Sequence, residues 1–315
     1  MVDKIIIVTK KTALEELIQK FNSKEQAKFY MEHLGSSFSA YEEEHVAYQA
    51  ALSKLLEILP PDLKQQVVER SFLPNFLFGP KDLVIVLGPD GLVINTAKYL
   101  NGQSILAVNP DRKRIDGILM PFNIQELTPQ HFYRIVRENY SLDYVSMAQV
   151  KLNDGQQLYG VNDIFVGPKS QISFRYNIHQ LKNREDQCSS GIIISTGAGS
   201  TGWFRSIVTG ARGIASAYDR ISNIKDRDSR FPWDAEHLLF CVREPFPSKT
   251  TGSSFIFGQI EKNKPLYVTS HTPQGAVIFS DGIENDFIEF GSGKTACISL
   301  ADKKACLIQQ FAQSR

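Results

Sequence analysis

Four short segments combine acidic, amide, hydroxyl and glycine residues in patterns that suit phosphate and ribose chemistry. The first is Gly88-Pro89-Asp90-Gly91, which directly follows the apolar run 83–87. The two glycines allow a backbone to approach a phosphate closely, and the N–H groups at the start of a following helix attract anions. Asp90 can accept a proton from an attacking hydroxyl. The alternative is an ordinary strand-to-helix turn, since Pro-Asp-Gly is a common turn sequence.

The second segment is the polar pair Asn162-Asp163, which interrupts an apolar run between Val161 and Ile164. A carboxylate in such a place needs a partner. One such partner is the pair of hydroxyls of a ribose, which the amide and carboxylate can bind together. The alternative is a β-bulge or the end of a strand.

The third segment is a loop rich in glycine, serine and threonine between an apolar strand and a helix, over residues 191–203. Its backbone N–H groups and hydroxyls suit phosphate or ribose oxygens, and Trp203 can stack on a planar base. The alternative is a helix cap with a core tryptophan. Candidate binding residues within the loop are Thr196, Gly199 and Ser200. The fourth segment, Asp281-Gly282, by itself predicts only a hairpin turn.

The elements that must position these residues differ between the two parts of the chain. In the first part, strand-like runs alternate with helical patterns, which predicts an α/β domain with a mostly parallel sheet. Capping-box patterns at Ser23 and Ser39 predict two helix starts, and a strand is expected within 67–73. In the second part, short strands with turn signals predict an antiparallel β domain. One helix over 199–218 and a mobile polar loop over 222–230 interrupt it.

The composition narrows the classes of function. The chain has 315 residues, of which 42% are hydrophobic, so it can form a sizeable core. Its 35 Lys and Arg against 34 Asp and Glu argue against a nucleic-acid partner. The four cysteines have no paired spacing and predict free thiols in a reducing compartment. Apolar runs are too short for a signal peptide or a membrane span, so we expect a cytoplasmic protein without a membrane partner. No Walker A sequence or metal-ligand spacing occurs, and no residue is assigned as a metal ligand.

Taken together, the four segments resemble the ordered motif set of the NAD kinase family. That set is Gly-Gly-Asp-Gly after a strand, an Asn-Glu pair, a Thr/Ser/Gly-rich loop ending in an aromatic residue, and a late Asp-Gly. The chain is most similar to the divergent, mitochondrial-type branch of the family. The features shared with that branch are Gly35-Ser36-Ser37, Ser189-Ser190-Gly191 and Arg243-Glu244-Pro245. The resemblance covers nearly the whole chain.

The resemblance implies both a fold and a reaction. It implies an α/β nucleotide-phosphate domain over 1–122, joined by the chain end 299–315, and a mainly β dinucleotide-binding domain over 123–298, with a nucleotide cleft between them. The implied reaction is phosphoryl transfer from ATP to the 2′-hydroxyl of the adenosine ribose of NAD, with Mg²⁺ accompanying ATP. A homodimer is expected through an exposed edge of the β domain.

The resemblance also assigns roles to residues. Asp90 takes or orients the proton of the hydroxyl, Gly88 and Gly91 keep the backbone open to phosphate, and Asn162 with Asp163 holds NAD. The residues that match family positions lining the dinucleotide site are Thr201, Gly202, Trp203 and Ser206.

Three departures from the family pattern keep alternatives open. Pro89 replaces a glycine and so removes an N–H donor and fixes the backbone, Asp163 replaces a longer Glu, and Ser190 replaces an Asp that the mitochondrial-type branch also lacks. The donor can therefore be ATP or polyphosphate. A non-catalytic NAD(P)-binding protein and a kinase of the same fold with a sugar or lipid acceptor are the alternative functions.

Overall fold

The computed structural model describes residues 2–218 and 228–311. Residues 222–227 of the polar loop and residues 312–315 of the chain end therefore lie outside the described part. The chain forms two compact units, Met1–Asp143 with Cys306–Arg315 and Tyr144–Ala305.

The first unit is built on a parallel sheet. Its elements are β1 (Lys4–Thr9), α1 (Ala13–Phe21), α2 (Lys24–His33), α3 (Ser39–Ile58), β2 (Lys64–Glu69), β3 (Asp82–Leu87), α4 (Asp90–Ala97), β4 (Ser104–Asn109), β5 (Phe122–Asn123) and α5 (Pro129–Val136). The strands lie in the order β2, β1, β3, β4 and all run parallel. β5 and the last part of β17 (Thr295–Phe311) also pair in parallel with β4. This confirms the predicted mostly parallel sheet.

Burial on both faces explains why the central strands are continuous apolar runs. Every residue of β3 is buried, and so are Ile5 to Val8 of β1. On one face, Ile5 and Ile7 share a hydrophobic cluster with Leu55 of α3 and Phe132 of α5. The helices therefore cover the sheet with the sides that their sequences make apolar.

Three local predictions in this unit have different outcomes: the cap at Ser23 is confirmed, the cap at Ser39 is wrong, and the strand within 67–73 is found but begins earlier. The Ser23 hydroxyl accepts a hydrogen bond from the N–H of Gln26, as the capping pattern predicts. Ser39, by contrast, is the first helical residue of α3 and Phe38 occupies the cap position without a side-chain hydrogen bond. The strand expected within 67–73 is β2, which begins earlier because pairing with β1 supplies hydrogen bonds to its polar residues. A 3₁₀ helix, Arg70–Asn75, follows it.

The second unit is a two-layered β structure. Its elements are β6 (Tyr140–Leu152), which begins at the end of the first unit, β7 (Gln157–Gly160), β8 (Asp163–Pro168), β9 (Phe174–Gln180), β10 (Asn183–Ser189), β11 (Ile192–Ser195), α6 (Trp203–Tyr218), β12 (His237–Val242), β13 (Phe257–Glu261), β14 (Leu266–Ser270), β15 (Ala276–Ser280), β16 (Ile283–Glu289) and β17. One sheet has the order β13, β12, β11, β8, β15, β16 and is antiparallel throughout. The other contains β10, β9, β14, β17, β6 and β7. This confirms the predicted antiparallel β domain.

The two sheets pack against each other around one core, to which Ile164 and Phe240 contribute from the first sheet and Tyr176 from the second. The helix α6 covers the opposite face of the first sheet, where Phe204 packs against Phe165. Among the described residues, no helix is both long enough and apolar enough to span a bilayer.

Candidate functional site

Three of the four predicted segments meet in the second unit, around the carboxylate of Asp281. This carboxylate follows β15 and accepts hydrogen bonds from the N–H groups of Val161 (3.0 Å), Asn162 (2.7 Å) and Asp163 (3.3 Å). In return, the N–H of Asp281 donates to the carbonyl of Asp163 at 3.0 Å. Asp281 itself has φ of 55°, a left-handed conformation that Asp tolerates better than most residues. The bend between β7 and β8 is therefore held at three consecutive N–H groups.

The glycine-rich loop after β11 is joined to the same bend. The Thr196 N–H donates to the carbonyl of Asn162 at 2.9 Å, and the Thr196 hydroxyl donates to the carbonyl of Val161 at 2.5 Å. The same hydroxyl accepts from the N–H of Gly199 at 3.2 Å. A Cβ on Gly199 would lie 2.0 Å from the carbonyl oxygen of Asn162, so only glycine fits there.

Asp163 is the unusual acid of this arrangement. It is 8% exposed and lies beside Ser195 across the sheet. Among the described residues, its carboxyl group has no hydrogen-bond partner. Burial, and secondly the negative charge of Asp281, raise the pKa of the Asp163 carboxyl to about 7. A mostly buried carboxyl group is costly to ionise, and acids with such raised pKa values concentrate at functional sites.

The hydroxyls of the loop divide into two groups. Those of Thr196 and Ser200 are fully buried and bonded to the protein itself; the Ser200 hydroxyl donates to the carbonyl of Gly197 at 2.6 Å. Thr201 and Ser206 are exposed, and their hydroxyls make only long contacts of 3.4 Å with backbone carbonyls. Thr196 and Ser200 thus hold the loop in shape, while Thr201 and Ser206 are accessible from outside.

Trp203 lies at the start of α6 beside a small cavity. Its ring stacks on Phe165 with centroids 5.6 Å apart, and the guanidinium of Arg243 lies 5.3 Å from its centroid. The cavity has a volume of about 190 Å³, and Lys169 lies at its edge with its ammonium 4.2 Å from the ring of Phe287. A larger cavity of about 560 Å³ shares Phe165 and Arg243 with it. Because side chains alternate along a strand, Phe165 projects from the same face of β8 as Asp163.

In the first unit, Asp90 begins α4. Its carboxylate oxygens accept from the N–H of Ile118 at 3.0 Å and of Leu119 at 2.9 Å. A Cβ on Gly88 would lie 2.7 Å from a terminal methyl group of Leu92, so a larger residue there would have to displace this side chain. Gly91 is exposed and a Cβ on it would meet no atom within 4 Å. Packing therefore gives no reason for glycine at this second position.

Three residues of the site lie beyond the candidates that the sequence suggested. Asp281 seemed to be a turn residue, and the only signal for it was its place in the ordered set of motifs. Lys169 gave no signal, and Arg243 appeared only within the shared Arg-Glu-Pro sequence. The region of chain that the structure describes contains no group of three or more His, Cys, Asp or Glu side chains that could hold a metal ion.

Comparisons with known proteins agree with the resemblance seen in the motifs. No protein-family model matches the chain. It is 29% identical over 164 residues to a protein of Hahella chejuensis described as an NAD kinase, and the match covers 50% of this chain and 53% of that protein. The chain thus spans about half the length of the curated relative it matches.

Solved structures share the fold of nearly the whole chain. Yeast NADH kinase, solved with NADH, gives a TM-score of 0.59 at 14% identity, covering 99% of this chain and 85% of the other. An NAD kinase from Archaeoglobus fulgidus, solved with ATP, gives a TM-score of 0.56 at 13% identity. The match covers 97% of this chain and 93% of the other. These likenesses confirm the fold class that the resemblance implies.

Proposed function

We propose that the protein is an NAD kinase, which transfers a phosphoryl group from ATP to the 2′-hydroxyl of the adenosine ribose of NAD and so forms NADP. The observation that carries this proposal is the convergence of three separate motif segments on the Asp281 carboxylate. If these segments were only local turns and helix caps, nothing in their sequences would require them to lie at the same place in the fold. The fold shared with solved NAD and NADH kinases supports the same assignment.

In this proposal the second unit, with its mainly β fold, binds the dinucleotide. Asn162 and Asp163 hold ribose hydroxyls, since the Asp163 carboxyl is fixed by its backbone and has no hydrogen-bond partner among the described residues. Thr201, Gly202, Trp203 and Ser206 line the same site. The two cations beside Trp203, Lys169 and Arg243, suit the diphosphate of a dinucleotide.

The first unit, with its parallel sheet, supplies the groups that act on the phosphoryl donor. Two N–H groups fix the Asp90 carboxylate, and a carboxylate has further lone pairs with which to accept the proton of the attacking hydroxyl. Gly88 and the open position at Gly91 leave the backbone accessible to phosphate. Mg²⁺, when bound with ATP, would neutralise charge on the phosphates. It usually keeps several waters and needs few protein ligands, so these residues suit an ion that arrives with its nucleotide.

Three further expectations belong to the proposal. Cys188, Cys241, Cys297 and Cys306 form no disulfide bond, which supports a reducing location such as the cytoplasm. The exposed Ile256 and Phe257, at the start of the outer strand β13, support a homodimer. The domains implied by the resemblance, 1–122 with 299–315 and 123–298, remain part of the proposal.

The first test is NADP formation from NAD and Mg-ATP by the purified protein and by its Asp90→Asn variant. We expect activity in the parent and a loss of at least about a hundredfold in kcat in the variant, because general-base catalysis contributes about that much. Asp62→Asn, which alters an exposed acid of the same unit, is the matched control and should leave the rate unchanged. Equal activity of the Asp90→Asn variant would place the chemistry elsewhere.

Pro89 favours one alternative, a dinucleotide-binding protein without turnover. The residue caps α4 and cannot donate an N–H to a phosphate. Tight binding of NAD or NADP without product formation would select this alternative, and a Pro89→Gly variant that gained activity would identify the cause. Phosphorylation of a sugar or lipid in place of NAD, in a screen of acceptors, would instead contradict the proposed substrate.

A further inference from the structure

The segment between β4 and β5, residues 110–121, carries the two N–H groups that hold the Asp90 carboxylate. The N–H of Ile118 donates to one carboxylate oxygen at 3.0 Å, and the N–H of Leu119 donates to the other at 2.9 Å. Because both oxygens are engaged, the carboxylate cannot rotate without losing a hydrogen bond. The position of these two N–H groups therefore decides the orientation of the acid.

A tight turn over residues 117–120 presents the two N–H groups. The N–H of Met120 donates to the carbonyl of Gly117 at 3.2 Å, which is the hydrogen bond that closes a β-turn. This bond uses neither of the two central N–H groups, so those of Ile118 and Leu119 are available to an acceptor outside the turn. Gly117 has φ of 69°, a left-handed conformation that favours glycine.

The side chain of Asn109, the last residue of β4, holds this turn in place. Asn109 is 1% exposed. Its amide nitrogen donates to the carbonyl of Ile115 at 2.8 Å, and its amide oxygen accepts from the N–H of Asp111 at 2.9 Å. A Cβ on Gly117 would lie 2.8 Å from the same amide nitrogen, so the Asn109 side chain lies directly against the start of the turn. One buried amide thus fixes both the beginning of the segment and the residue that precedes Ile118.

Exposed ion pairs hold the same segment less firmly. The Arg114 guanidinium donates to Asp111 at 2.7 Å and to Glu43 of α3 at 2.8 Å. The side chains of Arg114 and Glu43 are 39% and 66% exposed, and ion pairs at such exposure contribute little to stability. A buried amide that loses its partners is costly to the fold, so Asn109 is the stronger anchor of the segment.

We propose that Asn109 is a positioning residue for phosphoryl transfer, because it holds the turn whose N–H groups orient the Asp90 carboxylate. The inference rests on the proposed function, in which Asp90 is the general base. A general base must lie within hydrogen-bond distance of the proton that it accepts, and a displacement of about 1 Å can lower a rate about a hundredfold. Asn109 acts on Asp90 through the turn.

The first test measures NADP formation from NAD and Mg-ATP by the parent and by Asn109→Ala. We expect kcat to fall at least about tenfold and the KM for NAD to change less than about twofold, because the acid is retained but is no longer oriented. Asn123→Ala is the matched control, since it removes another side-chain acceptor of the same unit, which bonds the N–H of Gln125 at 2.8 Å. It should keep the kcat of the parent. An unchanged kcat in Asn109→Ala overturns the inference.

A double-mutant cycle with Asp90→Asn separates positioning from support of the fold. In the Asp90→Asn background, Asn109→Ala should change kcat less than about twofold, because the group that Asn109 orients has been removed. A repeated tenfold loss in that background would mean that Asn109 only stabilises the fold, and the inference would then be wrong.

A second variant keeps the Asn109 side chain. Gly117→Ala places a methyl group against the Asn109 amide and so displaces the turn, and we expect kcat to fall at least about tenfold with the KM for NAD again unchanged. Gly102→Ala is its control, because Gly102 has φ of 91° and a Cβ there would meet no atom within 4 Å. The control therefore imposes similar backbone strain without the contact. Equal kcat values for the two glycine variants would contradict the proposal.

Amide hydrogen exchange separates failure of this inference from failure of the kinase proposal. Exchange at Ile118 and Leu119, followed by NMR, should be at least about tenfold faster in Asn109→Ala than in the parent and unchanged in Asn123→Ala, because a held N–H group is protected from exchange. If the parent forms no NADP but this contrast is seen, the positioning of Asp90 by Asn109 stands and the kinase proposal fails. If NADP forms but the two amides exchange equally in the parent and in Asn109→Ala, the inference fails alone.

Discussion

The turn before α4 in the first unit and the bend before β8 in the second each present one acid, but the surroundings of the two acids are opposite. The Asp90 carboxylate accepts from two N–H groups and is half-buried, whereas the Asp163 carboxyl is buried and, among the described residues, has no hydrogen-bond partner. Glycines differ as well: Gly199 is required by packing and Gly91 is not. One region is thus a rigid frame around a mostly buried acid with a raised pKa, and the other is a half-buried acid, held by two N–H groups, beside open backbone.

The frame of the second unit depends most on Asp281, and its removal should have the largest effect. Asp281→Ala leaves the N–H groups of Val161, Asn162 and Asp163 without their acceptor. We expect a loss of about 4 kcal/mol in the free energy of unfolding, since each unpaired buried group costs about 1–3 kcal/mol. Urea unfolding of the parent and of Asp281→Ala measures this difference in the free energy of unfolding.

Asp281→Asn is the control for this change, because it keeps one carbonyl oxygen as an acceptor. We expect it to lose about half as much free energy of unfolding. An Asp281→Ala variant as stable as the parent would mean that the carboxylate does not hold the bend.

The next largest effect is expected at Gly199. A Cβ there would lie 2.0 Å from the carbonyl oxygen of Asn162, so Gly199→Ala must displace the loop or the bend. We expect a destabilisation of about 3 kcal/mol, at the upper end of overpacking costs. Gly210→Ala, in the middle of α6 with no atom within 4 Å of the new Cβ, should instead stabilise the protein by about 0.5–1 kcal/mol. Equal melting temperatures for the two variants would contradict this contrast.

The same two regions show which parts of the fold the sequence could predict and which it could not. Apolar runs such as 83–87 predict a strand correctly because burial on both faces leaves a local pattern. The beginning of β2 could not be predicted from its own residues, since Lys64 and Gln65 become strand only by pairing with β1. Ser39 matched a capping pattern, but the actual cap is the apolar Phe38, whose side chain is buried in a cluster formed with α1 and α2.

For the site, sequence reasoning found the segments but not how their groups are used. The density of hydroxyls in the loop suggested donors for a ligand, yet the hydroxyls of Thr196 and Ser200 donate to backbone carbonyls. Asp281 is the opposite case: its neighbours in the sequence predict only a turn, but in the fold its carboxylate accepts the hydrogen bonds of the bend. Contacts between positions 120 residues apart leave no periodic or local signal, so no reading of spacing could reveal them.

The raised pKa of Asp163 should make the stability of the protein depend on pH. The pKa of Asp163 is raised to about 7 in the folded protein, against about 3.9 in an unfolded chain. Its contribution to stability is therefore fully present below about pH 4 and is lost as the pH rises toward 7. Between pH 5 and 7 the parent should lose about 2–3 kcal/mol relative to Asp163→Asn, which cannot ionise.

Denaturant unfolding of both proteins at several pH values measures this difference, and taking the difference cancels the titration of all other groups. Parallel curves for parent and Asp163→Asn would mean that Asp163 ionises as an ordinary exposed acid. Ribose hydroxyls donate best to an ionised carboxylate, so the KM for NAD should fall as the pH rises through about 7.

The smallest effect on stability is expected at Gly91, and it is the sharpest test of the contrast. Gly91 lies in the first turn of α4, and a new Cβ there meets no protein atom within 4 Å. Gly91→Ala should therefore change the free energy of unfolding by no more than about 0.5 kcal/mol. If the open space is used by phosphate, the same methyl group should lower kcat/KM for ATP about tenfold, because phosphate can no longer approach the backbone. A variant with unchanged kinetics would mean that Gly91 has no role in packing or in phosphate binding. The turn before α4 would then differ from the Asp281 bend only in its greater exposure.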